Sequence, residues 1–148
     1  MALRSLLAAL LLAATPAWAE DAFCPALRRV LAAAPGDFRA IPEGDHVFPG
    51  ALRSLRQLDY APGREHAASF HVTLAEHEPN RAQAPRLYRQ LRRAIPECLP
   101  EAELLRETRV PAQHGVIWTL PGAEVEMLLD RPPGAGNYAL EIAVLRLR

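Results

Sequence analysis

The chain contains no lysine; all 17 of its basic residues are arginine. That absence excludes the lysine of a phosphate-binding P-loop, a Schiff-base lysine and a Ser-Lys dyad. Serine is nearly as scarce, with only Ser54 and Ser69 beyond the N-terminal apolar segment. Neither lies in G-x-S-x-G, so the usual nucleophile elbow is missing. Charge of one sign is also lacking, because the 17 arginines meet 17 acids. A generally basic nucleic-acid binder is therefore excluded, and no aromatic run interleaves with the cations to stack bases. Only two cysteines occur, far apart and without short-spaced partners. This argues against a C-x-x-C redox pair and against thiolate metal ligation.

What is present begins with an export pattern. Met1 to Arg4 is a short positive region, Leu6 to Ala14 is apolar, Thr15-Pro16 breaks the helix, and Ala17-Trp18-Ala19 is an A-x-A cleavage site. About 14 apolar residues are too few to cross a bilayer. Residues 1–19 thus read as a cleaved secretory signal and residues 20–148 as a single globular domain. Export to an oxidising space makes a Cys24–Cys98 disulfide the default expectation.

Periodicity gives the elements. A first helix starts at Cys24-Pro25, carries Leu27, Val30, Leu31 and Ala34 on one stripe, and stops at Pro35-Gly36. Ala51 to Tyr60 reads as a strand between turns, with Ala61 to Arg64 as the following turn. Phe70, Val72 and Leu74 then alternate with polar residues as a half-buried strand. Asn80 can cap a second helix with Ala84, Leu87, Tyr88, Leu91 and Ile95 on its apolar face, ending at Pro96. Glu101 to Val110 fits either a short helix or an irregular link. Val116 to Leu120 and Val125 to Leu129 alternate around Pro121-Gly122 as a hairpin. The last strand, Tyr138 to Leu147, is apolar on both faces, as in a central or helix-covered strand.

The expected fold is α+β: an antiparallel sheet of about five strands with two main helices on one face, in the order α-β-β-α-β-β-β. A Cys24–Cys98 bond would tie the start of the first helix to the end of the second. The element order loosely resembles secretion-chaperone-like folds, and no functional residue is carried over from that resemblance.

Three clusters bear on function. Ser69 and His71 suggest a catalytic pair, but residues i and i+2 on a strand share a face without aiming at each other, and no oxyanion-hole glycines flank them. The histidines His46, His66, His71, His77 and His114, with Glu65, Glu76 and Glu78, suggest a metal. On one strand His71 and His77 would stand roughly 20 Å apart, too far to share an ion. A site assembled across strands from His71, His114 and a carboxylate such as Glu76 remains as the enzyme or metal-binding alternative.

The third cluster is Arg81, Arg86, Arg89, Arg92 and Arg93, with no acid between Pro79 and Pro96. With Leu87, Leu91 and Ile95 turned inward, Arg86, Arg89 and Arg93 form an exposed line suited to phosphate or carboxylate. The preferred reading of that line is a solvated face balanced by Glu97, Glu101, Glu103 and Glu107. If any surface is specialised for a partner, it is this one. The sequence therefore favours a small exported, disulfide-closed binding or accessory protein of the cell envelope, more in keeping with binding than with catalysis. Its expected partner is a protein or an anionic envelope component, with no nucleic acid, cofactor, metal or membrane span in residues 20–148.

Overall fold

The computed structural model describes residues 20–42, 44, 47–59, 63, 65–77 and 83–148. Residues 1–19, expected as a leader, the expected Asn80 cap, His46, Arg81 and most of the expected 61–64 turn lie outside the described residues. Helix α1 spans Glu20–Ala33 and runs into a 3-10 turn at Ala34–Gly36. Strands β1 (Arg53–Leu58) and β2 (His66–Ala75) precede helix α2 (Gln83–Cys98). Strands β3 (Glu103–Val110), β4 (Gln113–Leu120), β5 (Ala123–Asp130) and β6 (Ala139–Leu147) complete the chain.

The six strands form one antiparallel sheet in the order β1-β2-β6-β5-β4-β3. The α+β class and the element order match the sequence expectation, and the strand count is six rather than five. The added strand is β3, from the segment that fitted either a short helix or an irregular link. β6 lies between β2 and β5; its Leu140, Ile142 and Val144 are buried in the core, whereas on its other face only Ala143 is buried.

Side chains of directly paired residues point to the same side of an antiparallel sheet, so the register divides it into two faces. One face carries Phe70, Val72, Ile142, Val144, Val125, Met127, Val116 and Trp118, all buried. These residues join Leu27 and Val30 of α1 and Leu87, Leu91 and Ile95 of α2 in one core cluster. Both helices therefore lie over this face. The other face bears Ser69, His71, Thr73, Glu141, Glu124, Glu126 and Leu128 and has no helix over it among the described residues.

Both helices extend past the prolines expected to bound them. Pro25 lies inside α1 and Pro96 inside α2. Each proline removes one helical N–H. Pro96 lies in the last turn of α2, where two contacts secure the helix end. Leu99 N–H donates to the Ile95 carbonyl at 2.9 Å, and the Arg28 guanidinium of α1 donates to the Cys98 carbonyl through Nη2 at 2.9 Å. The Cys24–Cys98 disulfide, with Cα atoms 5.2 Å apart, fixes the same corner. The loop after α1 turns through left-handed conformations at Asp37 and Phe38, with φ of 56° and 59°. Phe38 is fully buried against Phe70, which offsets the backbone cost of that conformation for a bulky residue.

The sheet edges are β1 and β3, and both expose leucines: Leu55 and Leu58 on one, Leu104 and Leu105 on the other. Arg53, Arg56, Glu103 and Arg106 alternate with them and discourage edge-to-edge pairing.

Candidate functional site

Two constellations stand out, one under α2 and one on the open face of the sheet. In α2 the buried stripe Ala84, Leu87, Leu91 and Ile95 is flanked by Tyr88 and Arg92, one turn apart. The next row outward holds Arg89 and Arg93, both exposed. Across from this flank β3 presents Glu107 and Arg109, β4 presents His114, and Tyr138 stands just before β6. Together they enclose a cleft of about 380 Å³.

Its electrostatics are one-sided, with the guanidinium groups of Arg89, Arg92, Arg93 and Arg109 set against the single carboxylate of Glu107. Arg109 donates to Glu107 Oε1 from Nη2 at 2.7 Å and from Nε at 3.1 Å, and Arg92 donates to Oε2 at 3.4 Å. Those hydrogen bonds hold the Glu107 carboxyl below its ordinary value, and Glu107 in turn raises Arg109. The Arg92 guanidinium also lies over the Trp118 ring, 5.7 Å from its centroid.

Among the described residues, two polar groups of side chains lining this cleft are unsatisfied. The Tyr88 hydroxyl is buried with no hydrogen-bond partner, on a residue only 7% exposed. Arg92 Nε is likewise buried without a partner. Burial first, and then the nearby Glu107 charge, push the Tyr88 hydroxyl above its usual pKa, so it stays protonated as a donor. Buried donors without acceptors are uncommon, because leaving one unmade costs roughly 1–3 kcal/mol. An oxygen-rich anion in the cleft would satisfy both.

The network has a pH signature. A carboxyl held below its ordinary value stabilises the fold above its unfolded pKa, near 4.5, and that contribution is lost as pH falls through the lower folded value. Glu107→Gln is therefore expected to flatten the acid limb of a thermal-midpoint profile below about pH 5. An acid limb identical to that of the parent would mean that the Arg109 contact contributes nothing to stability.

On the open face, His71 Nδ1 lies 2.7 Å from Glu141 Oε1, and His71 Nε2 lies 2.9 Å from Ser69 Oγ. The expectation that Ser69 and His71 would not aim at each other is thus corrected. Their shared face brings the imidazole edge onto the hydroxyl, and Glu141, a diagonal neighbour on β6, holds the other ring nitrogen. A shallow cleft of about 670 Å³ borders this group, with Arg53, Thr73, Glu76, His77, Asp130 and Glu141 among its walls.

The cross-strand site from His71, His114 and Glu76 does not form. His71 pairs with Ala143, whereas His114 pairs with Leu129 and through it with Leu140. Leu140 and Ala143 are three residues apart on β6, so the two histidines occupy opposite faces. His114 instead packs edge-on to Tyr88. Among the described residues no group of three His, Cys, Asp or Glu side chains could hold a metal ion.

Of the sequence-selected arginines, Arg89 and Arg93 border the helix cleft and Arg86 does not. Tyr88, Arg92, Glu107 and Arg109 complete the cleft. The sequence pattern marks Tyr88 only as core and Arg92 only as one more cation, while Glu107 and Arg109 depend on strand β3, which has no hydrophobic period. No protein-family model, curated protein or solved structure matches the chain.

Proposed function

We propose that the chain is an exported, disulfide-closed binding protein of the cell envelope whose cleft under α2 receives an anionic group of an envelope component. The observation that carries this reading is the pair of unsatisfied buried donors, Tyr88 Oη and Arg92 Nε, in a cleft with four guanidinium groups and one carboxylate. Guanidinium matches the geometry of phosphate and carboxylate oxygens, and the cleft falls within the size range of small-molecule sites. The leader pattern at residues 1–19 and the Cys24–Cys98 bond support export. No helix among the described residues is long and apolar enough to cross a membrane.

Trp18 and Trp118 are the only tryptophans. Once the leader is removed, Trp118, beneath Arg92, is the sole indole and reports directly on the cleft. Titration with inorganic phosphate is expected to give a saturable change in its fluorescence that weakens as sodium chloride is raised. The triple variant R86Q/R89Q/R93Q should fold normally, since surface changes usually cost within about 0.5 kcal/mol each. Its affinity should fall about tenfold or more, as charge-assisted contacts are lost. R86Q alone should bind as the parent does, because Arg86 lies outside the cleft. A response that does not saturate, or equal affinity in the triple variant, would overturn the reading.

A further inference from the structure

We propose that Ser69, His71 and Glu141 form an acyl-transfer site on the open face of the sheet, acting on small carboxylic esters. This goes beyond the anion-binding reading and does not depend on it, because the cleft under α2 lies on the opposite side of the sheet.

The geometry is that of a nucleophile, base and orienting acid. Ser69 Oγ is 2.9 Å from His71 Nε2, within reach for proton transfer. His71 Nδ1 is 2.7 Å from Glu141 Oε1, which selects the tautomer that carries hydrogen on Nδ1 and leaves Nε2 free to accept. The constellation is recognised by distances and roles rather than by order in the chain. Neighbours on the same face supply the rest of a site. Gln57 on β1 is paired with Ser69 and shares its face, and in this scheme its carboxamide is the donor to a developing oxyanion. Leu55 across from His71, with Ala143 and Leu145 on β6, gives apolar footing for a short acyl chain. Leu55 is half exposed, so that footing is open to solvent.

The reaction balances within these groups and water. Ser69 Oγ bonds to the ester carbonyl carbon while its proton moves to His71 Nε2, and the carbon–oxygen bond to the alcohol breaks as that oxygen takes the proton from His71. Water then adds its hydroxyl to the acyl carbon. Its proton passes through His71 to Ser69 Oγ as the bond between the acyl carbon and Oγ breaks, and the carboxylic acid leaves. Glu141 acts through His71 and is a positioning residue.

The test uses the purified chain with an alkyl fluorophosphonate, read by intact and peptide mass, and with p-nitrophenyl acetate, read by nitrophenolate release. The expected result is a single phosphonyl adduct on Ser69 and nitrophenolate release above the buffer rate. Ser69→Ala should lose both while keeping the parent thermal midpoint and parent phosphate binding in the α2 cleft. His71→Gln should slow release about 100-fold or more, as removal of a general base does. Glu141→Gln should lower the maximal rate of release about tenfold without changing the half-saturating ester concentration, a split that mere loosening of the surface would not give. Absence of the adduct in the folded parent, or release by Ser69→Ala at the parent rate, would overturn the proposal.

Discussion

Reduction of the Cys24–Cys98 bond is expected to lower the free energy of unfolding by about 4 kcal/mol without abolishing secondary structure. The magnitude follows from loop closure, because the bond spans a sequence separation of 74, and long loops lose the most unfolded-state freedom when bridged. The core supports the second half of the expectation. Phe70, Val72, Ile142, Val144, Val125, Met127 and Trp118 are buried in a cluster drawn from four strands and both helices, so most of the core lies outside the two cysteines. The corner itself will loosen, since the Arg28 contact to the Cys98 carbonyl relies on the two helix ends staying together. Chemical reduction is the cleaner experiment, because a serine at position 98 would bury a hydroxyl at a site only 1% exposed and add its own penalty. Urea unfolding followed by circular dichroism, with and without reductant, measures the difference. An unchanged midpoint would show that the bond contributes nothing. Loss of the folded signal before urea is added would show that the core cannot form alone.

The parts of this fold that were legible in the sequence are those whose burial follows one period. α2 keeps a helical stripe from Ala84 to Ile95, β5 alternates strictly, and β6 sets Leu140, Ile142 and Val144 at alternate positions in the core. β3 was not legible for the opposite reason. It is an edge strand exposed along nearly its whole length, its two leucines are adjacent, and its register with β4 shifts between Leu104 and Arg106. No hydrophobic period survives those three conditions. The two candidate sites inherit the same limit. Glu107 and Arg109 reach the α2 cleft only because β3 exists, and Glu141 meets His71 only through the register of β2 on β6, which links residues 70 apart in the chain. The Ser69–His71 pair was visible, but the contact between the two depends on a side-chain orientation that the third residue fixes.

Trp118→Ala is expected to cost about 3–5 kcal/mol, because it empties a large volume in the middle of the core. Trp118 is only 2% exposed, and its neighbours in register are Val125 on β5 and Leu104 on β3, so it ties the β3 edge to the packed centre. The indole also supports Arg92, whose other contact is Glu107. Trp118→Leu distinguishes the two roles, since leucine keeps apolar filling and removes the aromatic face. It should cost less than the alanine change and still weaken phosphate binding in the α2 cleft, because Arg92 is then held only by Glu107. The support can be isolated by a double-mutant cycle of Trp118→Leu with Arg92→Gln, with a coupling of about 0.5–1 kcal/mol expected for a cation over an aromatic ring. Urea unfolding by circular dichroism suits all four proteins, and calorimetric titration reads their phosphate affinity, since two of the variants lack the indole. A coupling of zero, with phosphate affinity unchanged in Trp118→Leu, would show that the ring serves only as core and that Arg92 is oriented entirely by the carboxylate.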